Sequence, residues 1–468
     1  MGPSTHRLTM KQNTRSFLSS FAAALLSVVS LAPLSACAKS SSEAVRLRIE
    51  LDRPVLSADR TERAVIKIAL DGLRLPRPEA RPPVNLTLVI DRSGSMSGEK
   101  IQHAKAAAIE AVRRLGADDV FSLVTFDHEV ETLVPATRVG DCRVIEARIR
   151  SIVARGNTAI YGGVTQGAAE LRKHLEDRRF THRLVLLSDG LANNGPSSPD
   201  DFARLGAALG REHISVSTIG VGLDYNEDLM TRLARRSDGN TYFVSSSRDL
   251  PAIFNAELGD VLNVVARRVV VAVEFPVGVR PLEFVGREGV IRGQRAEFEL
   301  NQLYGGQEKF ALVEVEVAST RAGVEREVAS ATVVFEDALT QRSVKVDARG
   351  FARFTAVERE VVAAANRQVQ TDYAVNVTAE AKDQAVLLVD SNRRDEAARQ
   401  LRARTAELEK MATVYANPAV SELSASNKKE ADRLEREGLS NEGRKAYRAD
   451  AAQAKSQQSA GASVSIRP

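Results

Sequence analysis

The chain has 468 residues, 43% of them hydrophobic and 27% charged, which is enough for two to four globular domains with sizeable cores. Only 5% of the residues are aromatic and Trp is absent, a composition that disfavours a base-stacking or sugar-stacking surface. The formal net charge of +4 falls to +1 without residues 1–36, which hold three Arg or Lys and no acid, so no nucleic-acid partner is predicted.

Residues 1–36 have the anatomy of a secretory signal, with a basic flank followed by an apolar stretch. The stretch ends in Leu-Ser-Ala-Cys, which resembles a bacterial lipobox whose cysteine, Cys37, becomes the lipidated first residue of the mature protein. A transmembrane anchor is the alternative, but Pro33 and four serines make the stretch marginal for spanning a bilayer. We therefore expect a lipoprotein of the bacterial cell envelope, and Ala38 favours the outer membrane if the cell is Gram-negative.

Residues 37–83 are predicted to form a polar tether, two β-strands and a linker with four prolines. Residues 84–266 then alternate short apolar runs with amphipathic segments. The predicted strands are 84–90, 120–126, 183–188, 214–221 and 241–244, and the predicted helices are 99–115, 159–175, 199–211, 227–236 and 250–266. Near-continuous apolar strands separated by helices predict a doubly wound α/β domain with a mostly parallel sheet.

Residues 267–348 are rich in β-branched residues between turn signals, which predicts an antiparallel, sandwich-like β unit. Two strands alone are not stable, so the strands before residue 84 are expected to join this unit and make the α/β domain an insertion. Residues 349–454 are predicted to be helical, with helices at 354–378, 385–390 and 394–413 that include a hairpin. Residues 455–468 have too few apolar residues to bury a core and are predicted to be disordered.

Three side chains with oxygen ligands follow the first strand of the α/β domain. Asp91, Ser93 and Ser95 alternate along a turn that contains glycine, and such oxygens suit Mg²⁺. Ligands bind outside the carboxyl ends of parallel strands, so further ligands are expected from neighbouring loops. Thr158, in a loop that opens a helix, and Asp189, at the end of a strand, are the candidates. Each residue taken singly also fits the commoner role of a helix cap or a turn.

Three segments in this order resemble the metal-ion-dependent adhesion site of the von Willebrand factor type A domain. They are Asp-Arg-Ser-Gly-Ser-Met at 91–96, the Gly-Asn-Thr loop at 156–158 and Leu-Leu-Ser-Asp-Gly at 186–190. Asn157 departs from the glycine that commonly precedes the threonine, but no ligand position is lost. The arrangement of the whole chain also resembles bacterial proteins of this family whose flanking strands are similar to those of inter-alpha-trypsin inhibitor heavy chains.

The resemblance implies a role for each candidate ligand. Ser93, Ser95 and Thr158 would give their hydroxyls to the ion, and Asp91 and Asp189 would contact it directly or through water. With one or both carboxylates held off by water, these ligands leave a divalent ion incompletely neutralised and with one open coordination position. The resemblance implies that an Asp or Glu carboxylate of a partner protein fills that position. The sequence thus predicts Mg²⁺-dependent protein binding, with Mn²⁺ suited to the same oxygens.

Catalytic patterns are missing from the sequence, which holds no G-x-S-x-G elbow, no H-x-x-x-H pair and no phosphate-binding loop. We therefore expect a binding protein and not an enzyme. The main alternative is a structural or assembly subunit in which the metal only rigidifies the loops. A hydrolase with an unrecognised site is the third possibility.

Overall fold

A computed structural model describes residues 44–74 and 81–458. The predicted secretory signal, the lipidated Cys37 and the last ten residues of the predicted disordered tail lie outside these ranges. The described chain begins with three strands, β1 (Val45–Leu51), β2 (Val55–Ser57) and β3 (Glu62–Gly72).

The α/β domain comes next. Its elements are β4 (Val84–Asp91), α1 (Glu99–Arg113), β5 (Val120–Phe126), β6 (Val130–Arg138), α2 (Cys142–Arg150), α3 (Ile160–Arg172), β7 (Thr181–Ser188), α4 (Pro199–Arg211), β8 (Ile214–Val221), α5 (Glu227–Arg236), β9 (Thr241–Val244) and α6 (Leu250–Val261). The strand order is β6-β5-β4-β7-β8-β9. Strand β6 runs antiparallel to its neighbour β5, and the other five strands are parallel to one another. The predicted doubly wound, mostly parallel sheet is confirmed.

Both faces of this sheet are covered by helices, which explains why its central strands are buried and near-continuously apolar. Alternate residues of β4 point to opposite faces, so Leu88 and Ile90 pack with α1, α2 and α6, whereas Val89 packs with α3, α4 and α5. Strand β6 was not predicted because it is an edge strand with mostly exposed side chains, and its short apolar run contains Pro135.

Seven further strands build the rest of the β structure. They are β10 (Val264–Glu274), β11 (Val279–Val285), β12 (Val290–Arg292), β13 (Arg295–Tyr304), β14 (Glu308–Val317), β15 (Glu325–Asp337) and β16 (Ser343–Thr355). With the N-terminal strands they form two sheets, ordered β1-β3-β14-β11 and β12-β13-β10-β15-β16-β2. Buried side chains of both sheets, such as Ile66 and Val271, share one apolar core. The α/β domain is therefore inserted into a β-sandwich between β3 and β10. This agrees with the prediction made from the two strands before residue 84, which could not be stable alone.

The remaining helices are α7 (Glu358–Ala363), α8 (Arg367–Asp390), α9 (Arg394–Tyr415), α10 (Pro418–Glu437) and α11 (Asn441–Ser456). Helices α8 and α9 form the predicted hairpin, and Val377 of α8 packs on Val65 and Leu312 of the four-stranded sheet. None of the described helices has the length and apolar composition needed to cross a membrane.

Three predicted boundaries differ from the structure. The helix predicted over 250–266 ends at Val261, because the valines that follow pair with β13 as part of β10. Phe354 does not begin a helix but is the penultimate residue of β16, where its ring is buried in the sandwich core. Helix α11 extends to Ser456, inside the predicted disordered tail, because the buried Gln457 side chain donates 2.6 Å to the Val285 carbonyl.

Candidate metal centre

The turn that leaves β4 brings Ser93 and Ser95 together. Asp91 is the last residue of β4, and a short 3-10 turn covers Gly94–Met96 before α1 begins. The Met96 side chain is fully buried, which anchors the turn in the core below it. The two serine hydroxyl oxygens lie 3.0 Å apart.

The loop before α3 packs against this turn. The Gly94 amide donates 3.0 Å to the Gly156 carbonyl, and the backbone of Gly156 has a φ of +70°, which favours glycine. Thr158 is buried at the far end of this loop, where its amide donates 2.8 Å to Asn193 Oδ1. Loops from β4 and β7 therefore hold Thr158 from two sides.

The two carboxylates lie at the carboxyl ends of the neighbouring parallel strands β4 and β7, and both are fully buried. Asp91 accepts a hydrogen bond of 2.8 Å from the Ser93 amide and another from the Ser188 hydroxyl. Asp189 accepts 2.7 Å from the Ser95 hydroxyl and also pairs with the Lys100 ammonium. A Cβ atom built on Gly190 would lie 3.0 Å from Thr158 Oγ1 and 3.6 Å from Asp91 Oδ2, so these oxygens share one side of Gly190.

Burial has an electrostatic cost at this site. It raises the pKa of Asp91 to about 6, with hydrogen bonds from Ser188 and Ser93 acting against the rise and the charge of Asp189 adding to it. Two adjacent buried carboxylates with three hydroxyl groups around them favour a hard divalent cation, which would relieve this repulsion. The donor set therefore fits Mg²⁺.

The structure brings together all five residues predicted from the sequence: Asp91, Ser93, Ser95, Thr158 and Asp189. Three neighbours were not predicted. Ser188 could be seen in the sequence next to Asp189, but a serine there could equally have been a buried strand residue with no role at the site. Lys100 and Asn193 reach the site only through the folding of α1 and of the loop after β7, which no local pattern reports.

Asp127, His128 and Glu129 form a second group whose possible ligand atoms lie within 4.8 Å of one another. The Asp127 carboxylate, however, accepts 2.9 Å hydrogen bonds from both Arg92 Nε and Arg155 Nε. Two guanidinium groups already neutralise it, so this group needs no ion. Asp127 lies between Arg92, in the turn after β4, and Arg155, in the loop before α3. Its ion pairs with both arginines stabilise the two segments that carry Ser93, Ser95 and Thr158.

Gly190→Ala is expected to weaken Mg²⁺ binding about tenfold while the protein stays folded, because the new methyl group would displace the Thr158 hydroxyl. Titration calorimetry of the purified protein would measure this change. Gly140→Ala is the matched control, since a Cβ atom there meets nothing within 4 Å. Equal Mg²⁺ affinities for the two variants would contradict the position assigned to Thr158.

A family model, the von Willebrand factor type A domain, matches residues 85–256. The chain is 32% identical over 168 residues to protein sll0103 of Synechocystis sp., covering 36% of this chain and 39% of that protein. It is 28% identical over 244 residues to inter-alpha-trypsin inhibitor heavy chain H3 of Mesocricetus auratus, covering 48% of this chain and 27% of that one. The chain thus spans less than half the length of these curated relatives.

Solved structures resemble a larger part of the chain. A von Willebrand factor type A structure from Catenulispora acidiphila superposes with a TM-score of 0.63 at 16% identity, covering 84% of this chain and 96% of the other. The likeness extends beyond residues 85–256 and concerns the fold, which includes the flanking sheets and not only the α/β domain.

Proposed function

We propose that the von Willebrand factor type A domain of this chain binds a protein partner through a divalent metal ion, most simply Mg²⁺. Domains of this type are protein-interaction modules that often hold such an ion. The observation that carries the proposal is the convergence of two buried carboxylates and three hydroxyl groups on one edge of the sheet, at Asp91, Ser93, Ser95, Thr158 and Asp189.

Each residue has a defined task in this proposal. The hydroxyls of Ser93, Ser95 and Thr158 and the carboxylates of Asp91 and Asp189 would hold the ion, and Mn²⁺ suits the same oxygens. A bound ion would supply an open coordination position for an Asp or Glu carboxylate of the partner. Ser188 and the Ser93 amide keep the Asp91 carboxylate oriented by their hydrogen bonds. We propose no catalytic step for this site.

We further propose that the protein is held at a membrane of the bacterial cell envelope through lipidated Cys37, with the outer membrane as the site in a Gram-negative cell. The sequence features that support this are the basic flank, the apolar stretch and the cysteine that follows it. A partner would then be an envelope or extracellular protein and not a nucleic acid.

The alternative function is a structural or assembly subunit whose metal ion only rigidifies the loops. One observation favours it: α11 is joined firmly to the α/β domain, with the buried Lys445 ammonium donating 2.7 Å to the Tyr225 carbonyl and 2.6 Å to Glu227. In that case the sandwich and the helices, and not the metal, would contact the partner.

Pull-down from envelope extracts separates the two functions. We expect wild-type protein to capture a partner that is lost both on addition of EDTA and in Asp189→Ala, because each removes the ion. Asp177→Ala is the matched control, since Asp177 precedes β7 at the opposite end of the strand and is paired with Arg179. A partner that stays bound under all conditions would refute the metal bridge and support the structural role.

A further inference from the structure

Lys100 introduces a cation into the candidate metal centre. It lies in the first turn of α1, and its ammonium contacts Asp189 Oδ2, while Asp189 Oδ1 accepts 2.7 Å from the Ser95 hydroxyl. The Asp189 side chain is completely buried, whereas the Lys100 side chain is 32% exposed. A buried carboxylate is thus paired with a cation that reaches solvent.

The two carboxylates differ in their partners. Both oxygens of Asp91 accept hydrogen bonds from neutral groups, the Ser93 amide and the Ser188 hydroxyl. Within residues 44–74 and 81–458, Lys100 is the one cationic side chain paired with either Asp91 or Asp189. The charge balance of the site therefore depends on this lysine.

We propose that Lys100 competes with the metal ion for Asp189 and thereby sets the metal affinity of the site. The proposal rests on the function proposed above. A divalent ion held by Asp189 and an ammonium on the same carboxylate would repel each other strongly in a buried setting. We therefore expect a bound ion to displace the ammonium from Asp189, and the ammonium to weaken binding of the ion.

The geometry allows the lysine to withdraw at little cost. Its ammonium rests on flexible methylene groups and is readily hydrated. The ammonium lies beside the turn after β8, 3.8 Å from the position of a Cβ atom on Gly222, so the glycine places no side chain against it. Because the ammonium neutralises Asp189 when no ion is bound, it lowers the gain from loading the ion. The site would then load only when the ion is abundant or when a partner carboxylate adds to its binding.

Lys100→Met tests the proposal. We expect the variant to bind Mg²⁺ and Mn²⁺ at least about tenfold more tightly than wild type in titration calorimetry, since the competing ion pair is gone. Lys105→Met is the matched control in the same helix, because Lys105 donates to the Arg150 carbonyl and does not contact the site. Its metal affinity should equal that of wild type.

A second measurement guards against a folding defect. In EDTA the melting temperature of Lys100→Met should fall below that of wild type, because Asp189 loses its counter-charge, and Mg²⁺ should raise it by more than it raises wild type. Lys100→Gln should likewise lower the melting temperature in EDTA and increase the stabilisation by Mg²⁺. Unchanged or weaker metal binding in the variants would overturn the competition, since Lys100 would then orient Asp189 for the ion. Absence of metal binding by the wild type as well would instead refute the proposed function itself.

Discussion

Asp91→Asn is expected to abolish the stabilisation of the protein by Mg²⁺ and to lower its Mg²⁺ affinity by about 100-fold or more, while the fold is retained. The amide has the shape of the carboxylate and keeps an oxygen for the Ser93 amide, whose bond to Asp91 is 2.8 Å. Ser188, which donates to the other oxygen, would accept a hydrogen bond from the new NH₂ group. What is lost is the negative charge that attracts the ion.

The same variant should not lose stability in EDTA. Burial raises the pKa of Asp91 to about 6, which shows that the charged form is held at a cost in this position. A neutral amide removes that cost and the repulsion from Asp189. Melting temperatures in EDTA and in Mg²⁺, together with calorimetric titration, would measure both effects.

Asp119→Asn is the matched control for this experiment. Asp119 is also buried, but it lies before β5 at the amino end of the sheet, where it accepts 2.8 Å from the Val84 amide and pairs with Arg81. Its variant should melt at a lower temperature in both buffers and still respond to Mg²⁺. An Mg²⁺ response of Asp91→Asn equal to that of wild type would exclude Asp91 as a ligand.

Arg183→Met is expected to lower the free energy of unfolding by about 3–5 kcal/mol, because it leaves a buried carboxylate without its counter-charge. Arg183 of β7 is fully buried and lies 3.3 Å from Glu257 Oε1, which is itself only 1% exposed. The guanidinium also donates 2.7 Å to Gln302 Oε1 and contacts the Tyr304 hydroxyl, and both of these residues belong to β13. Arg183 therefore joins the α/β domain to the sandwich.

Urea unfolding followed by circular dichroism would measure this loss. Arg172→Met is the control, since Arg172 forms a largely exposed pair with Glu212 and should cost less than about 1 kcal/mol. Adding Glu257→Gln to Arg183→Met should recover part of the lost stability, because the uncompensated charge disappears. A loss no larger than that of the control would mean that Arg183 contributes little to the domain junction.

The sequence was sufficient for five of the six strands of the α/β domain and for the positions of its candidate ligands. Strands β4 and β7 are buried throughout because helices cover both faces, and the apolar runs within them leave a readable pattern. Asp91 directly follows the apolar run of β4, and Asp189 follows that of β7 after Ser188, so their place at the carboxyl edge of the sheet could be inferred. The edge strand β6 left no such pattern, because its side chains are mostly exposed and its short apolar run contains Pro135.

What the sequence determined by itself is thus local: the order of strands and helices and the oxygen ligands at the strand ends. Only the tertiary structure decided that Lys100 meets Asp189 and that Arg183 meets Glu257 and β13. The physical reason is that these contacts depend on how a helix is rotated on the sheet and on how two domains pack. Lys100 and Asp189 are 89 positions apart in the sequence, and Arg183 and Glu257 are 74 positions apart. The charges of each pair balance each other only after the chain has folded.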